Sequence, residues 1–512
     1  MVTAFAFGIA GCGGDDGEDA GGGADGTIIH GTTDPPVSYD PAGSYDLPSW
    51  NIIYNTHSFL LQIPPGGNQP EPDAAESCEF TDPRTFECTL KQGLKFSDGS
   101  ALTAEDVVFS FERNLEIADP QGASSLYTNM RSVEAPDDST VVFELKQPDS
   151  TWPFRLTTGG TGIVPSDTYP ANKVQPSTDT VTSGRYVVAR FQPGQQTVLE
   201  PNPEYTGDDP AQGIVIVQQF DTSSALKLAV EQGEVDIAYR SLGPTEIEDL
   251  RGSESVEVVQ GNGIEIRYMV FNLEQQPGAS DEKKKAIRQA VAMTVDRQAI
   301  AENVYNGTVR PLYSMVPEGL EFHVPAFADA YGEEPDPDGA EQVLRGAGVE
   351  TPVRMKIWWT PSHYGPGSAD EYTEIKRQLD GSGLFEVSLD STEWNQYSEA
   401  AFTDRYPVYQ LGWFPDYPDA DNYTTSFYSG ESFLNHHYSN QEMDRLLTEQ
   451  QQATAEEGRA QALERIQEIG AEDVPTIPIW QGDQIAAVRD GVQGVEDTFD
   501  PSFQFRYWLV SK

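Results

Sequence analysis

Short strand patterns and helical patterns alternate along most of this chain, and this alternation constrains the fold more than any other feature of the sequence. Residues 213–220 (GIVIVQQF) form a β-branched run typical of a buried strand. Residues 223–239 have the pattern of helix, turn and strand, and residues 264–274 that of another long strand. The mixture predicts an α/β protein built of sandwich domains rather than an all-α or all-β protein.

The length predicts more than one domain, because a single hydrophobic core stops growing at roughly 250–300 residues and this chain has 512. No repeat with a period of about 20–50 residues is present, which excludes a solenoid or a propeller. Among the helices, one is predicted to begin after Thr103, which is a good N-cap with Glu105 and Asp106 in the first turn. Two more are predicted over residues 282–305 and 440–473.

The net charge excludes some partners. The chain has 32 Lys and Arg against 82 Asp and Glu, a formal charge of −50. A field of this sign disfavours nucleic acid and anionic membrane surfaces. We therefore expect no nucleic-acid partner and a ligand that is neutral or cationic, unless a local basic pocket overrides the overall field.

The N-terminus has the features of an exported, lipid-anchored protein. An apolar run, residues 2–11, is too short to span a membrane and precedes Cys12. The tetrapeptide at residues 9–12 (IAGC) resembles the bacterial lipobox, whose cysteine receives diacylglycerol. Residues 1–12 are therefore interpreted as the remnant of a signal peptide and residues 13–26 as a disordered Gly/Asp tether. The expected basic region is missing, so either the start is late or the segment is not a working signal.

Removal of Cys12 leaves an even pair of cysteines. Cys78 and Cys88 flank a turn signal, Asp82-Pro83, with alternating residues on both sides. A hairpin would bring the two sulfurs within bonding range, and an exported protein lies where such a bond persists. The sequence therefore predicts a Cys78–Cys88 disulfide, and a metal-binding pair is disfavoured because further ligands are lacking nearby.

An unusual acidic and aromatic stretch lies at residues 412–423 (GWFPDYPDADNY). It could bind a metal, supply catalytic acids, bind a cationic ligand or form a solvated turn, and its two prolines argue against a helix. A calcium loop starting at Asp416 would need glycine at its sixth position and glutamate at its twelfth, but Asp421 and Phe427 stand there. No GxSxG or HExxH motif supports hydrolysis, although the sequence does not exclude a second acid across a cleft.

Nine segments together resemble the family 5 solute-binding proteins of bacterial ABC importers, which include dipeptide- and oligopeptide-binding proteins. Each motif is weak alone, but all occur in the family's order across roughly residues 27–490. The segments are KFSDGSALTAEDVVFSFER (95–113), SGRYVVARFQPG (183–194), NPEYTG (202–207), ALKLAVEQGEVDIAY (225–239), YMVFNLE (268–274), KKAIRQAVAMTVDRQAI (284–300), DPDGAEQVLRGAG (336–348), GWFPDYPDADNY (412–423) and EDVPTIPIW (472–480).

The resemblance implies a two-lobed periplasmic-binding-protein-like fold of class II with an extra domain. The ligand cleft lies between lobes joined by a hinge, and closure is driven by ligand contacts with both lobes. The implied boundaries are 27–50, 178–268 and 480–512 for a discontinuous lobe I, 51–177 for the extra domain and 269–479 for lobe II. The chain is expected to cross between the lobes near 266–272 and 475–480.

The resemblance also implies a ligand-binding set within residues 412–423. In the family's peptide binders, the aspartate of a Gly-Trp-x-x-Asp pattern binds the peptide's α-ammonium, and here that residue is Asp416. Trp413 would offer a ring face to the ligand, and the backbone of Gly412 and Phe414 would pair with the peptide as an added strand. Tyr417 belongs to the same candidate set, whereas Asp419 and Asp421 are predicted to shape the turn.

Further candidate contacts lie outside residues 412–423. Tyr45 lies where family members place a loop against the ligand. Gln410 stands where some oligopeptide binders have arginine, and His363 follows the strand after which dipeptide binders carry a basic carboxylate ligand. Either the ligand is longer and its C-terminus is not clamped, or it is not a simple peptide. The adjacent pair His436-His437 is not expected to bind metal, because neighbouring imidazoles point in different directions.

The sequence therefore predicts an extracytoplasmic lipoprotein that captures di- or oligopeptides, delivers them to a membrane permease and catalyses no reaction. We expect a monomer without cofactor or metal, anchored through Cys12 to the outer face of the cell membrane. The alternatives are a binder of another solute, such as an oligosaccharide or amino sugar, a secreted hydrolase using cleft carboxylates, and an adhesion or signalling lipoprotein.

Overall fold

The computed structural model describes residues 26–211, 213–430 and 432–512. The signal remnant, Cys12 and most of the predicted tether lie outside the described residues. The strands are β1 (Thr27–Thr32), β2 (Leu61–Gln62), β3 (Glu71–Pro72), β4 (Ala75–Asp82), β5 (Thr85–Leu90), β6 (Met130–Asp137), β7 (Thr140–Leu145), β8 (Tyr186–Gln192), β9 (Gln196–Pro201), β10 (Ile214–Gln219), β11 (Ile237–Tyr239), β12 (Val256–Phe271), β13 (Val309–Pro311), β14 (Val353–Trp359), β15 (Phe385–Ser391), β16 (Val408–Trp413) and β17 (Thr476–Arg489).

Helices cover the faces of the sheets. They are α1 (Leu47–Thr56), α2 (Ala104–Ile117), α3 (Trp152–Arg155), α4 (Ser223–Gln232), α5 (Pro244–Arg251), α6 (Asp281–Thr294), α7 (Arg297–Asn303), α8 (Ala326–Tyr331), α9 (Pro337–Gly346), α10 (Ser368–Gly381), α11 (Trp394–Ala401), α12 (Asp421–Tyr428), α13 (Gln441–Gln451) and α14 (Glu456–Asp473). Among the described residues, no helix combines the length and the apolar character needed to cross a membrane.

An 11-stranded sheet runs through most of the molecule, in the order β15-β14-β16-β12-β17-β11-β1-β10-β9-β8, with β13 paired to β17. Its two long strands, β12 and β17, are antiparallel neighbours from Val256 opposite Arg489 to Val270 opposite Thr476. On one side β17 pairs with β11, and on the other β12 pairs with β16. These two strands therefore join the two halves of the sheet, and their register shifts between Gly261 and Glu265.

The half of the sheet around β12 and β16 is buried on both faces. Met269 and Phe271 belong to one apolar core, whereas Tyr268 and Val270 belong to the other. This alternation is expected, since successive side chains of a strand point to opposite faces. Helices α6 and α10 contribute to the first core, and α13 and α14 to the second.

A separate four-stranded sheet, in the order β4-β5-β7-β6, lies in the region predicted as the extra domain. Helix α2 packs on it and begins after Thr103, as predicted, with Asp106 accepting the Thr103 N–H at 3.0 Å. Cys78 and Cys88 stand opposite each other on β4 and β5 and are joined by a disulfide.

Three helix predictions need correction. The helix predicted over 282–305 is two helices, because Asp296 leaves helical geometry and caps α7 by accepting the Ala299 N–H at 2.8 Å. The helix predicted over 440–473 is also divided, since α13 ends at Gln451 and α14 begins at Glu456, and the two helices bury Leu446 and Leu463 in the same core. The stretch 412–423 was predicted to be non-helical, but α12 begins at Asp421.

Candidate functional site

A cavity of about 720 Å³ lies where the two halves of the large sheet meet. One wall comes from segments of predicted lobe I, including residues 240–244 after β11. The opposite wall comes from segments of predicted lobe II, including residues 362–367 after β14 and residues 411–414 at the end of β16. A cavity of this size is suited to a small organic ligand.

Gly412 fixes the geometry of one wall. It stands opposite Arg267 in the pairing of β16 with β12. A Cβ atom on Gly412 would lie 2.6 Å from Arg267 Nη1 and 2.8 Å from its Cζ. A side chain at position 412 would therefore displace the Arg267 guanidinium, which lies directly over the strand backbone.

Arg267 and Arg240 supply cations to the cavity, and neither residue was identified from the sequence. Arg267 lies on β12, and its guanidinium carbon is 4.4 Å from the ring centre of Tyr364 and 4.8 Å from that of Trp480. Arg240 directly follows β11 and lies 4.3 Å from the ring centre of Phe414. The available signal was Arg267 itself, a charged residue in the run predicted as a long strand, residues 264–274.

A buried carboxylate supports this wall from behind. Glu371 on α10 accepts hydrogen bonds from the Tyr305 hydroxyl at 2.6 Å and from Trp480 Nε1 at 3.0 Å. Burial raises the pKa of Glu371, while these two bonds and Arg267 oppose the rise. Tyr305 and Trp480 line the cavity, so Glu371 holds two of its lining rings in place.

His363, a candidate ligand contact, lies in the cavity wall as a stacked ring. Its imidazole stacks on Trp394 with ring centres 3.7 Å apart and planes 3° from parallel. Burial, with a smaller contribution from Arg267, lowers the pKa of His363 to about 4. The ring is therefore neutral at neutral pH, because desolvation disfavours the imidazolium.

Asp416 lies two residues beyond the last cavity residue of this segment, Phe414. Its Oδ1 accepts the Tyr45 hydroxyl at 2.5 Å, and its Oδ2 accepts Asn422 Nδ2 at 2.9 Å. Asn422 Oδ1 in turn accepts Trp413 Nε1 and the Asp416 N–H. Burial raises the pKa of Asp416, while Tyr45, Asn422 and Arg155 oppose the rise. The amide of Asn422 thus joins Trp413 and Asp416, two residues of the predicted site.

The other two carboxylates of the stretch are bound by protein groups. Asp419 accepts two hydrogen bonds from Arg459, at 2.9 and 2.6 Å, and also accepts the Asp421 N–H at 2.8 Å. Asp421 is fully enclosed and accepts hydrogen bonds from Thr425, Gln450 and Gln451. Both aspartates hold the start of α12 in place, so the predicted turn role extends to contacts with α13 and α14.

Tyr417 and Gln410 lie away from the cavity lining. Tyr417 is buried between Ile63 and Phe154, and its hydroxyl donates to Asp421 at 3.2 Å. Gln410 is fully buried. Its Oε1 accepts the Thr360 N–H at 3.3 Å, and its Nε2 donates to the Ser368 hydroxyl at 3.3 Å. Gln410 therefore joins β16 to the segments around β14 and α10.

Of the residues predicted from the sequence, Gly412, Trp413, Phe414 and His363 come together in one cavity. Asp416 and Tyr45 are hydrogen-bonded to each other, and neither of them lines the cavity. Within the described ranges, no group of three or more His, Cys, Asp or Glu side chains is arranged to hold a metal ion. His436 is buried, which lowers its pKa to about 3, and His437 instead bonds Asp404 at 2.6 Å.

The fold is that of the two-lobed periplasmic binding proteins. The ABC transporter substrate-binding protein CtaP from Listeria monocytogenes matches with a TM-score of 0.83 and 21% identity, over 96% of this chain and 99% of that chain. The periplasmic binding protein DppA from Helicobacter pylori, solved with the peptide STSA, matches with a TM-score of 0.78 and 20% identity, over 95% of this chain and 98% of that chain.

The sequence comparisons identify the family. Residues 69–435 match the model for bacterial extracellular solute-binding proteins, family 5. The probable D,D-dipeptide-binding periplasmic protein DdpA of Escherichia coli (strain K12) is 25% identical over 500 residues, covering 93% of this chain and 92% of that protein. The chain belongs to the family 5 bacterial extracellular solute-binding proteins, which confirms the resemblance seen in its motifs.

Proposed function

We propose that this protein is the extracytoplasmic peptide-binding component of a bacterial ABC importer. It captures a di- or oligopeptide between two closing lobes and releases it to a membrane permease. The observation that carries the proposal is the cavity of about 720 Å³, which is walled by residues of both predicted lobes and edged by Gly412, Trp413 and Phe414. Relatives described as dipeptide- and oligopeptide-binding proteins support the choice of ligand class.

The end of β16 provides a place for a peptide main chain. β14 pairs with β16 through Trp358 and Tyr409, four residues before β16 ends at Trp413. The backbone beyond Tyr409 extends past this pair toward the cavity. A peptide lying along it would add main-chain hydrogen bonds that do not depend on side-chain identity.

Asp416 is the proposed partner of the ligand's ammonium group. Its carboxylate is partly buried, and an ammonium group taken out of water needs a paired charge. Tyr45 and Asn422 donate to this carboxylate, and both contacts would hold it in position while the ammonium adds a third. Tyr45 is 42% exposed, so a ligand can approach the pair from its side.

The proposed lobe boundaries, lipid anchor and oligomeric state follow from the sequence. The predicted lobes are 27–50 with 178–268 and 480–512, and 269–479, with residues 51–177 as the extra domain. Cys12 would carry the lipid that anchors a monomer to the outer face of the cell membrane. Binding needs no cofactor, and no bond in the ligand is broken.

An aromatic wall favours a second candidate ligand class, a sugar or amino sugar. Rings of His363, Trp394, Trp413, Phe433 and Trp480 line the same cavity. Sugar rings bury their apolar faces against aromatic rings, and an amino sugar would also supply an ammonium for Asp416.

Native mass spectrometry of the purified protein, followed by thermal unfolding with defined ligand pools, tests the proposal. A co-purified peptide, or stabilisation by peptide pools and not by oligosaccharides or amino sugars, is the expected result. No stabilisation by any peptide pool would reject peptide capture, and stabilisation by the sugar pools alone would favour the second candidate. Loss of mass from a bound ligand on incubation would reject the non-catalytic role.

A further inference from the structure

A pair of arginines with one carboxylate between them lies in the cavity wall. Arg240 Nη2 is 3.5 Å from Glu265 Oε2, and Arg267 Nη2 is 3.5 Å from Glu265 Oε1. The side chain of Arg267 is only 5% exposed, and that of Glu265 is 17% exposed. All three residues line the cavity. One carboxylate is thus shared by two guanidinium groups at distances longer than good hydrogen bonds.

Both arginines keep donors unused. The Nε atoms of Arg240 and Arg267 are buried, and neither has a hydrogen-bond partner in the described part of the chain. Arg267 Nη1 donates to the carbonyl oxygen of Ile266, its own neighbour, at 3.1 Å. A buried polar group without a partner costs free energy, so these unused donors favour an additional acceptor at this wall.

Aromatic rings pack close to both guanidinium groups, and the edges of these groups remain accessible to that acceptor. Phe414 lies 4.3 Å from the Arg240 guanidinium carbon and 5.7 Å from that of Arg267. Tyr364 and Trp480 pack at 4.4 and 4.8 Å from the Arg267 guanidinium carbon. Stacked rings cover the faces of a guanidinium, and its N–H groups point outward in the plane, where a carboxylate binds in a bidentate manner.

The charges around the cavity leave this wall positive although the whole chain carries −50. Glu265 neutralises one of the two arginines. Asp483, which also lines the cavity, is bound by Arg310 at 2.8 Å. Asp34 and Asp221 line the cavity as well, but their side chains are exposed to solvent. Water screens the exposed pair, whereas the arginine wall is largely desolvated.

We propose that Arg240 and Arg267 form an anion subsite that binds a carboxylate of the ligand, with Glu265 as the internal competitor that the ligand displaces or joins. The inference rests on the proposed function, because it takes the cavity as the ligand site, and it narrows the ligand class to compounds with an acidic group. Arg240 follows β11 of predicted lobe I, while Phe414 follows β16 of predicted lobe II. The bound carboxylate therefore lies where contacts from both lobes converge.

Matched probes test this subsite directly. The protein is mixed with tripeptide libraries of identical composition, made as free acids and as C-terminal amides, and with succinate as a peptide-free dicarboxylate. Calorimetry and thermal unfolding then give the affinities. The free acids are expected to bind about ten- to a hundredfold more tightly than the amides, the difference typical of hydrogen bonds to a charged group.

Variants assign the preference to named side chains. Arg267→Gln and the less buried Arg240→Gln should each reduce the acid-over-amide preference by about tenfold or more. Glu265→Gln should raise the affinity for free acids severalfold, a gain that impaired folding would not produce. Arg354→Gln is the matched control, because that side chain is 86% exposed on β14 and should leave the preference unchanged.

The outcomes separate this proposal from the proposed function. Equal affinity for acids and amides would overturn the anion subsite while leaving peptide capture intact. Binding of succinate that is lost in Arg267→Gln, without binding of any peptide, would support the subsite and reject peptide capture. An acid preference that survives undiminished in both Arg267→Gln and Arg240→Gln, or an affinity for free acids that does not rise in Glu265→Gln, would overturn the assignment to these residues.

Discussion

The hydroxyl of Tyr45 donates a 2.5 Å hydrogen bond to Asp416 Oδ1 across 371 positions of sequence. The bond joins the loop before α1 to the loop after β16. Burial, and then the neighbouring Asp416 carboxylate, raise the pKa of Tyr45 well above its usual value, so the phenol stays protonated and remains a donor. The carboxylate proposed to bind a ligand's ammonium is therefore already held in position by a hydrogen bond from the protein.

Asp416→Asn should weaken binding of an amine-bearing ligand by about 2–5 kcal/mol, because the ammonium would be enclosed without a counter-charge. The amide can still accept the Tyr45 hydrogen bond, so the fold should be retained. Calorimetry with the ligand identified by native mass spectrometry measures the loss. The same substitution at the exposed Asp138 is the control, and equal affinities in all three proteins would reject the role of Asp416.

The affinity for an amine-bearing ligand should rise with pH through the pKa of Asp416. Burial raises that pKa, so lowering the pH protonates Asp416 earlier than an ordinary aspartate and removes the charge that attracts the ligand. The affinity should fall again above about pH 8, where a peptide's α-amine loses its proton. Calorimetry in buffers of different ionisation enthalpy should detect proton release on binding along the rising limb.

Tyr45→Phe should move the midpoint of that rising limb to higher pH. The Tyr45 hydrogen bond lowers the pKa of Asp416, so its removal favours the protonated acid. An Asp416→Asn, Tyr45→Phe double variant should show no such limb, since it lacks the titrating group. A midpoint unmoved by Tyr45→Phe would show that this bond does not set the charge of Asp416.

The family frame and much of the fold could be predicted from the sequence because they depend on local patterns in a fixed order. The N-cap at Thr103 is one example, since it needs only residues within one helical turn. The break between α6 and α7 was missed although Asp296 is a good N-cap, because the apolar spacing continues across it. The turn between α13 and α14 was missed for a different reason, since packing of two helices in one core is a tertiary effect.

The candidate site could be predicted only in part. The motif at residues 412–414 indicated one cavity wall. The wall that carries Arg240 and Arg267 depends on contacts between segments that lie far apart in the sequence. Arg267 faces Gly412 through the β12–β16 register, and Arg240 approaches Phe414 from the end of β11. A buried strand pattern gives no warning that one of its residues will point into a cavity. Arg240, directly after β11, and Arg267, on β12, are proposed to take the role of the basic group that is missing after β14.

The buried His30 should make the protein acid-sensitive. Burial lowers its pKa from 6.5 to about 4. The unfolded chain therefore binds a proton at this residue below about pH 6.5, whereas the folded chain binds it only below about pH 4. Stability is lost as the pH falls through that window, by about 2 kcal/mol between pH 7 and pH 5 for this residue. Urea unfolding of His30→Gln should show a correspondingly smaller difference between the two pH values.

Tyr507→Phe is the control for that experiment, because the Tyr507 hydroxyl is the 2.7 Å partner of His30 Nδ1. It removes the hydrogen bond but leaves the imidazole, so its pH dependence should match that of the wild type. If His30→Gln keeps the full pH dependence, the acid sensitivity comes from other groups.

Replacement of both cysteines of the Cys78–Cys88 bridge by alanine should lower the free energy of unfolding by about 2–3 kcal/mol, the chain-entropy value for so short a loop. The bridge spans 10 positions between two paired strands, so the folded hairpin should persist without it. Ligand affinity should be unchanged, since neither cysteine lines the cavity. Chemical denaturation with and without reductant measures the effect, and equal stability of wild type and variant would contradict it.

The ion pair between Asp419 and Arg459 should matter for stability and not for ligand charge. Both side chains are nearly buried, at 4% and 10% exposed, and the pair is bidentate. Asp419→Asn should lower the free energy of unfolding by about 3–5 kcal/mol, because it leaves the guanidinium enclosed without a counter-charge.

The double variant Asp419→Leu, Arg459→Met should lower the free energy of unfolding by less than either single charge removal, since no charge is then left unpaired. Denaturant unfolding of the wild type, Asp419→Leu, Arg459→Met and the double variant gives the coupling energy. Calorimetry of the folded Asp419→Asn should show ligand affinity within a few-fold of wild type. A loss of affinity as large as that of Asp416→Asn, with stability unchanged, would instead make Asp419 a ligand-binding carboxylate and overturn its structural role.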